Sequence, residues 1–242
     1  SLWVGYSPVL EATQSYYGIS ETAAGWFAMS FQAVFIPLSI PASALIDRHG
    51  VRVSVGAASV ITGLAALARG LVGPQFVPAM LATIVLAICQ PFFLNAWTTT
   101  AAHWFAPGRR ATAVSVITLG NLMGVAVAMA AGPSLVDAVG VGGTQTVYGA
   151  LALAFGIAFV LVYRNDPAVP VEDADGVRAL STQGLRHALS VPAFRRLLLM
   201  AFVGVGAFNA VATWVAAMVA PHGFGPQEAG NVGTILLLSG LV

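Results

Sequence analysis

Ser43-Ala44-Leu45-Ile46-Asp47-Arg48-His49-Gly50-Val51-Arg52 is a knot of charge and glycine set between two long apolar stretches, Thr22 to Ile46 and Val53 to Leu71. Charged side chains are costly in hydrocarbon, so this knot belongs at a membrane surface, where it joins two spanning helices through a very short turn. A turn that tight favours a residue free to adopt positive φ, which is what Gly50 offers.

The rest of the chain has the same character. Its 242 residues are 58% hydrophobic and only 8% charged, with a mean hydropathy of +0.86. A water-soluble domain carries roughly 25% charged residues, so this chain has too few to cover its surface in water. The expectation is an all-α polytopic membrane protein. The lone cysteine, Cys89, lies inside an apolar segment, which leaves no disulfide framework and no metal-ligand spacing; no cofactor or metal is expected.

Outward from the turn, eight segments can be read. Segment 1, Leu2 to about Tyr17, carries Trp3, Ser7, Pro8, Glu11 and Gln14, and is short for a span of roughly 20 residues, as if cut within a helix. Ser20 or Glu21 opens segment 2, Thr22 to Ile46, in which Pro37 and Pro41 are tolerated as kinks. Segment 3 is Val53 to Leu71, and segment 4 runs from about Phe76 to Ala102, ending at the aromatic and basic turn His103 to Arg110. Segment 5, Ala111 to about Val136, is rich in small residues (Gly120, Gly124, Ala128, Ala131, Gly132) that would let helix backbones approach closely. Segment 6, about Thr144 to Val162, looks featureless. The only long polar stretch, Arg164 to Ser190, has an acidic part (Asp166, Glu172, Asp173, Asp175) and a surface helix at Val177 to Leu189, and reads as an inter-domain linker. Segment 7 is about Leu197 to Val219; segment 8 starts near Ala229 and stops at Val242, too early to span.

This gives three parts: residues 1–163 as a six-helix half with a truncated first helix, 164–193 as a linker, and 194–242 as the start of a second half. There is no lysine, and alternating loops put nine arginines on one side (48, 52, 109, 110, 164, 178, 186, 195 and 196) and only Arg69 on the other. Positive residues mark the cytoplasm, so the turn at 47–52 and the linker are expected there, in a multi-pass protein of the cell membrane.

Six helices, a polar linker and the start of a second set resemble the major facilitator superfamily, whose signature Gly-x-x-x-Asp-Arg-x-Gly-Arg-Arg lies between helices 2 and 3. Here the turn reads Ser43-x-x-x-Asp47-Arg48-x-Gly50-Val51-Arg52, departing at the first Gly and the first of the paired Arg. The resemblance implies that Asp47, Arg48, Gly50 and Arg52 act as a conformational latch; plain interface charge is the competing reading. Gly132-Pro133 is similar to the superfamily's antiporter signature, but Val136 and Asp137 stand where its later glycines would be, so close packing with a kink is the reading taken.

Within the superfamily, the chain resembles the feline leukaemia virus subgroup C receptor family of haem and choline transporters. The matching positions include Trp3-x-x-Tyr6-Ser7, Tyr17-Gly18, Ile36-Pro37-Leu38, Ala87 to Gln90, Trp104-Phe105, Leu119-Gly120-Asn121-x-x-Gly124 and Val205-Gly206-x-Phe208. In that family a tryptophan of helix 1 and a tyrosine of helix 7 enclose the choline ammonium, with a glutamine of helix 4 nearby. Trp3 and Gln90 match the first and third; Asn209 stands at the tyrosine position, with Phe208 and Trp214 as neighbours that would substitute only if helix 7 were rotated.

Helical spacing places Trp3, Ser7, Leu10, Glu11 and Gln14 within roughly a 100-degree sector of helix 1, a face suited to a cavity rather than lipid. Trp3 would stack on a cationic or planar ligand. Glu11, the one carboxylate at membrane depth in the first six helices, is a candidate for coupling or for an outer vestibule. Gln90, Asn95, Asn121 and Asn209 read as buried amides needing partners; Gln90, Asn121 and Asn209 are taken as substrate contacts and Asn95 as a helix-to-helix bond. The expected function is alternating-access transport of a small organic solute, cationic or zwitterionic given Trp3 and the lack of arginine at membrane depth. A non-transporting receptor or scaffold and a drug or metabolite exporter are the alternatives. No nucleophile with a base and no metal cluster argues for an intramembrane enzyme, and no phosphate-binding glycine loop for an ATP-driven pump. The partners expected are the bilayer and a small molecule, without nucleic acid, around a monomer.

Overall fold

Gly50 separates two membrane-crossing limbs with a single residue. In the computed structural model, helix α2 runs Glu21–Leu71 and is broken only at Gly50, whose φ of 78° and ψ of 162° turn the chain back on itself. The structure describes residues 2–164, 186 and 189–239, apart from the side chains of 237–239. The expected linker, with its acidic part and surface helix, lies almost wholly outside these, as do residues 240–242.

Five other helices complete the described fold: α1 Leu10–Tyr17, α3 Phe76–Trp104, α4 Arg110–Val162, α5 Pro192–Val219 and α6 Pro226–Ser239. Helices α2 to α5 are long and apolar enough to cross a membrane, α2 and α4 as two limbs each. Ser20 caps α2 by accepting a hydrogen bond from the Ala23 amide at 3.3 Å. Pro37, Pro41 and Pro91 sit inside α2 and α3 without ending them. In α4 the expected loop between segments 5 and 6 is again one glycine, Gly140, at φ 73° and ψ 173°. Helices α5 and α6 begin earlier than segments 7 and 8 predict, each with a proline at its first position, where the missing N–H is no loss.

One end of the bundle carries the turns at 47–52 and 105–110; the opposite end carries Gly18, Gly73, Gly140 and Gly223. Tight backbone contact lies between the second limbs of α2 and α4, segments 3 and 6. A β-carbon on Gly156 would meet the Ser59 carbonyl carbon at 2.9 Å, and one on Gly149 would meet that of Ala66 at 2.7 Å. Segment 5, where small residues predict such contact, makes less of it: a β-carbon at Gly120 or Gly124 would meet nothing within 4 Å, and only Gly132 packs closely, 3.2 Å from Pro8. Composition locates small residues but not their facing helix, and here two featureless-looking glycines are the ones in register.

Helices α5 and α6 pack on the first six segments near the opposite end. Thr234 donates to the Ala126 carbonyl at 3.3 Å and Ser134 to Gln227 Oε1 at 3.0 Å. Toward the arginine-bearing end Leu197, Met200 and Phe202 of α5 are exposed, an apolar surface suited to hydrocarbon.

Candidate functional site

The start of the chain is not one helix. Residues 2–6 form turns and Ser7–Val9 a short 3-10 turn, and α1 begins only at Leu10. Pro8 supplies no N–H, and Val9, at φ −125° and ψ 38°, is outside the helical region. The helical face predicted for Trp3, Ser7, Leu10, Glu11 and Gln14 is therefore split. Ser7 and Leu10 are buried, Trp3 and Gln14 half-buried, and Glu11 exposed.

Trp3 lies where the parts of the bundle meet. It packs against a core cluster of Val4, Val125, Met129, Ala212 and Val215, and against a second formed by Phe31, Ala65, Leu86 and Ala87. Phe208 of α5 packs against the first of these clusters too, so it faces the Trp3 region without any rotation of α5, while its neighbour Asn209 is half-buried. Gln90 is half-buried in α3, and its Oε1 is enclosed without a hydrogen-bond partner; Gln32 Oε1 in α2 is in the same condition.

Asn121 departs from its predicted burial. It is exposed, because α6 covers the first limb of α4 only farther along, around Ala126 to Ser134. Asn95 behaves as predicted: its Nδ2 donates to the Ser39 carbonyl at 2.8 Å and to Ser43 Oγ at 2.9 Å, tying α3 to α2. Glu11 and Gln14 line a crevice of about 260 Å³ at the opposite end, with Glu21, Phe224 and Ala229 also on its walls.

At the turn, Asp47, Arg48 and Arg52 are exposed. The Arg52 guanidinium donates to the Val160 carbonyl at 3.3 Å, in the last turn of α4, where a cation suits the negative helix end. Ser54 Oγ donates to the Leu45 carbonyl at 3.1 Å across the turn. Ser43 is buried; its hydroxyl donates to the Ser39 carbonyl at 3.1 Å and accepts from Asn95.

The residue that sequence reading missed is Arg69. Placed by loop counting on an exposed surface, it is 1% exposed near the end of α2. Its Nη2 donates to Gln145 Oε1 at 2.6 Å and to the Leu2 carbonyl at 3.4 Å, and its guanidinium carbon lies 5.0 Å from the centre of the Tyr6 ring. Arg69 stands in the last turn of α2, at the end that loop counting gives it, but is buried between helices rather than exposed, and it holds the turn that presents Trp3. The one sequence cue was an arginine between apolar residues, Ala66 to Leu71, inside segment 3 rather than beyond it.

Residues 2–242 match the family model of the Major Facilitator Superfamily. The chain belongs to that superfamily. It is 27% identical to the choline/ethanolamine transporter FLVCR2 of Rattus norvegicus over 99% of this chain and 47% of that protein. It is 26% identical to the choline/ethanolamine transporter FLVCR1 of Felis catus, over 99% of this chain and 46% of that one. An uncharacterized protein of Caenorhabditis elegans, B0416.5, is 26% identical over 99% of this chain and 49% of its own length. The chain spans about half the length of the curated relatives it matches. Superfamily membership accords with an all-α, multi-pass membrane protein of a transporter family rather than an enzyme. The superfamily's signature turn is built here around Gly50, and the serine standing for its first glycine bonds to Asn95.

Proposed function

We propose that this chain forms part of a carrier that moves a small organic cation or zwitterion across the cell membrane by alternating access. The carrying observation is the position of Trp3, packed at once against a cluster shared with α5 and against one built from α2 and α3. A solute bound there would touch both the first six segments and the start of the second set, as rocking around a central site requires. An indole face attracts a desolvated ammonium group, and the enclosed, unpartnered Gln90 Oε1 offers an acceptor to a hydroxyl or N–H. Phe208 supplies the second aromatic surface in place of the helix 7 tyrosine. The relatives named as choline/ethanolamine transporters support a small amino alcohol as the solute class.

In this reading Ser7, Asn121 and Asn209 contact solute as the cavity opens, and Glu11 with Glu21 draws cations into the crevice, with Glu11 the candidate for coupling. The turn of Asp47, Arg48, Gly50 and Arg52 acts as the latch on the cytoplasmic side, and residues 1–163, 164–193 and 194–242 are first half, linker and start of the second half. The carrier works as a monomer in the bilayer.

The test is thermal stabilisation of the full-length protein by choline, ethanolamine, betaine, haem and amino acids, with uptake measured in reconstituted vesicles. Choline or ethanolamine is expected to stabilise the wild type, and Trp3→Ala to remove the effect. Binding that survives Trp3→Ala would sink the assignment, and binding without flux would favour a receptor.

A further inference from the structure

Another hollow, of about 460 Å³, lies in the half of the bundle that carries the signature turn, between segments 3, 4, 5 and 6. Phe93, Trp97, Phe155, Phe159 and Tyr163 turn their rings to it, and among the described residues no charged side chain lines it. Polar groups on its wall bond within the protein: Ser59 donates back to the Val55 carbonyl at 2.7 Å, and the Thr100 and Tyr163 hydroxyls pair at 3.4 Å. The wall reaches the outside of the bundle at Phe155, which is 73% exposed on a limb whose Leu151 and Val162 are exposed as well. Such an apolar stripe suits hydrocarbon rather than water.

We propose that this hollow holds one acyl chain of an anionic phospholipid from the arginine-bearing side of the bilayer, with the phosphate at the arginines of its shallow end. Its length fits. The wall runs from Val51, just past the surface turn, to Thr62. At about 1.5 Å per helical residue that is a depth of about 16 Å, close to half of a hydrocarbon core roughly 30 Å thick, and so one leaflet. Its chemistry fits too, because an empty apolar hollow forfeits dispersion contacts on every wall and lipid tails are the apolar filler at hand. Charge selects the head group. Arg52 follows Val51 and donates to the Val160 carbonyl at 3.3 Å, between Phe159 and Tyr163, so its guanidinium stands at the shallow end. Arg164 directly follows Tyr163, and both arginines are exposed. That end of the bundle carries Arg48, Arg52, Arg109, Arg110 and Arg164 against a single carboxylate, Asp47, among the described residues. Basic clusters beside helix ends on this side of a membrane attract anionic head groups. Tyr163, stacked on Phe159 at 4.8 Å and edge-on to Trp104 at 6.2 Å, marks the level of the interface. The same arginines repel a cationic solute, which separates this hollow from the region of Trp3.

The experiment is photolabelling of the full-length protein in phosphatidylcholine vesicles that contain a minor share of phosphatidylglycerol with a diazirine halfway along one acyl chain, followed by peptide mapping. Phe93 and Trp97, on the inner wall, are expected to label several-fold more densely than Ile61 and Leu64, which are exposed on segment 3 and meet only passing lipid. The same diazirine carried on phosphatidylcholine should label Phe93 and Trp97 several-fold less. Arg52→Gln combined with Arg164→Gln should remove that head-group preference. Ala152→Phe, which puts a ring into the hollow, should lower the labelling of Phe93 and Trp97 several-fold and leave that of Ile61 and Leu64 unchanged. The wild-type comparison of the two head groups decides the matter alone if a variant does not fold. Labelling of Phe93 and Trp97 no denser than that of Ile61 and Leu64 would overturn the proposal, as would equal labelling by the two head groups or undiminished labelling in a folded Ala152→Phe. Labels displaced by choline would also overturn it, giving the hollow to the solute.

Discussion

Gly25 of α2 lies against the indole of Trp214 of α5 so closely that a β-carbon on it would fall 2.6 Å from Trp214 Cη2. The contact joins the first six segments to the second set at the end of the bundle opposite the arginine-bearing turns. Together with the α4–α6 hydrogen bonds of Thr234 and Ser134 it closes that end. In an alternating-access carrier such a contact must part when that end opens, so its strength sets the balance between states. Gly25→Leu is therefore expected to shift the population toward opening there and to destabilise the present arrangement by about 1–3 kcal/mol, the usual cost of overpacking. A cysteine at Gln14, on the crevice wall, should react faster with a membrane-impermeant thiol reagent, and Trp214→Ala should return the rate toward wild type. An unchanged rate would mean the contact does not gate.

The pairing of the second limbs of α2 and α4 makes a harsher prediction. Gly156 faces the Ser59 backbone, which cannot swing aside as a side chain end can. Gly156→Leu should therefore lower the yield of folded protein severely, with a loss of stability above about 3 kcal/mol. Gly120→Leu, on a surface where nothing lies within 4 Å, should be neutral. Size-exclusion profiles and thermal unfolding of the two variants side by side check the contrast.

These contrasts show what could be read from residue order. Charge and hydropathy are local quantities, so the turn at Asp47 to Arg52, the spans and the Ser20 cap were legible, as was the need for glycine at position 50. Asn95 was legible because an amide in a long apolar run has few options but a neighbouring helix. Which helices face each other was not: Gly149 and Gly156 look like any glycines until the second limb of α2 is laid against them. The split face of segment 1 was missed because an assumed regular helix hid the effect of Pro8 and Val9. Arg69 was missed because counting loops assigns a charge to the nearest surface, whereas its long side chain reaches inward to Gln145 and Leu2, groups distant in sequence.

Asn95 and Ser43 provide a measurable pair. Hydrogen bonds between membrane helices average about 0.6 kcal/mol and reach about 1.7 kcal/mol by double-mutant cycle. The Asn95 amide makes two short bonds, to the Ser39 carbonyl and to Ser43 Oγ, so Asn95→Ala should cost about 1–2 kcal/mol. A cycle of Asn95→Ala, Ser43→Ala and the double variant, followed by unfolding in detergent, should return a coupling of about 0.5–1 kcal/mol. Solute binding should be unchanged in all three; altered affinity in Asn95→Ala would move this amide from scaffold to site.

Arg69 and Gln145 should respond asymmetrically to loss of one or both partners. Arg69→Met leaves Gln145 buried with neither end of its amide bonded and frees the Leu2 carbonyl, a loss of about 2–3 kcal/mol typical of hydrogen bonds to charged groups. Adding Gln145→Leu removes the stranded amide as well, and replacing both partners by apolar groups is often close to neutral, so the double variant should recover much of the lost Tm. Stability and solute binding are expected to part company here. With Leu2 no longer held, the turn carrying Trp3 loses an anchor, and the double variant should bind choline or ethanolamine more weakly than wild type even where its Tm is restored. Full recovery of binding along with Tm would show that Arg69 supports the fold alone and plays no part in positioning Trp3.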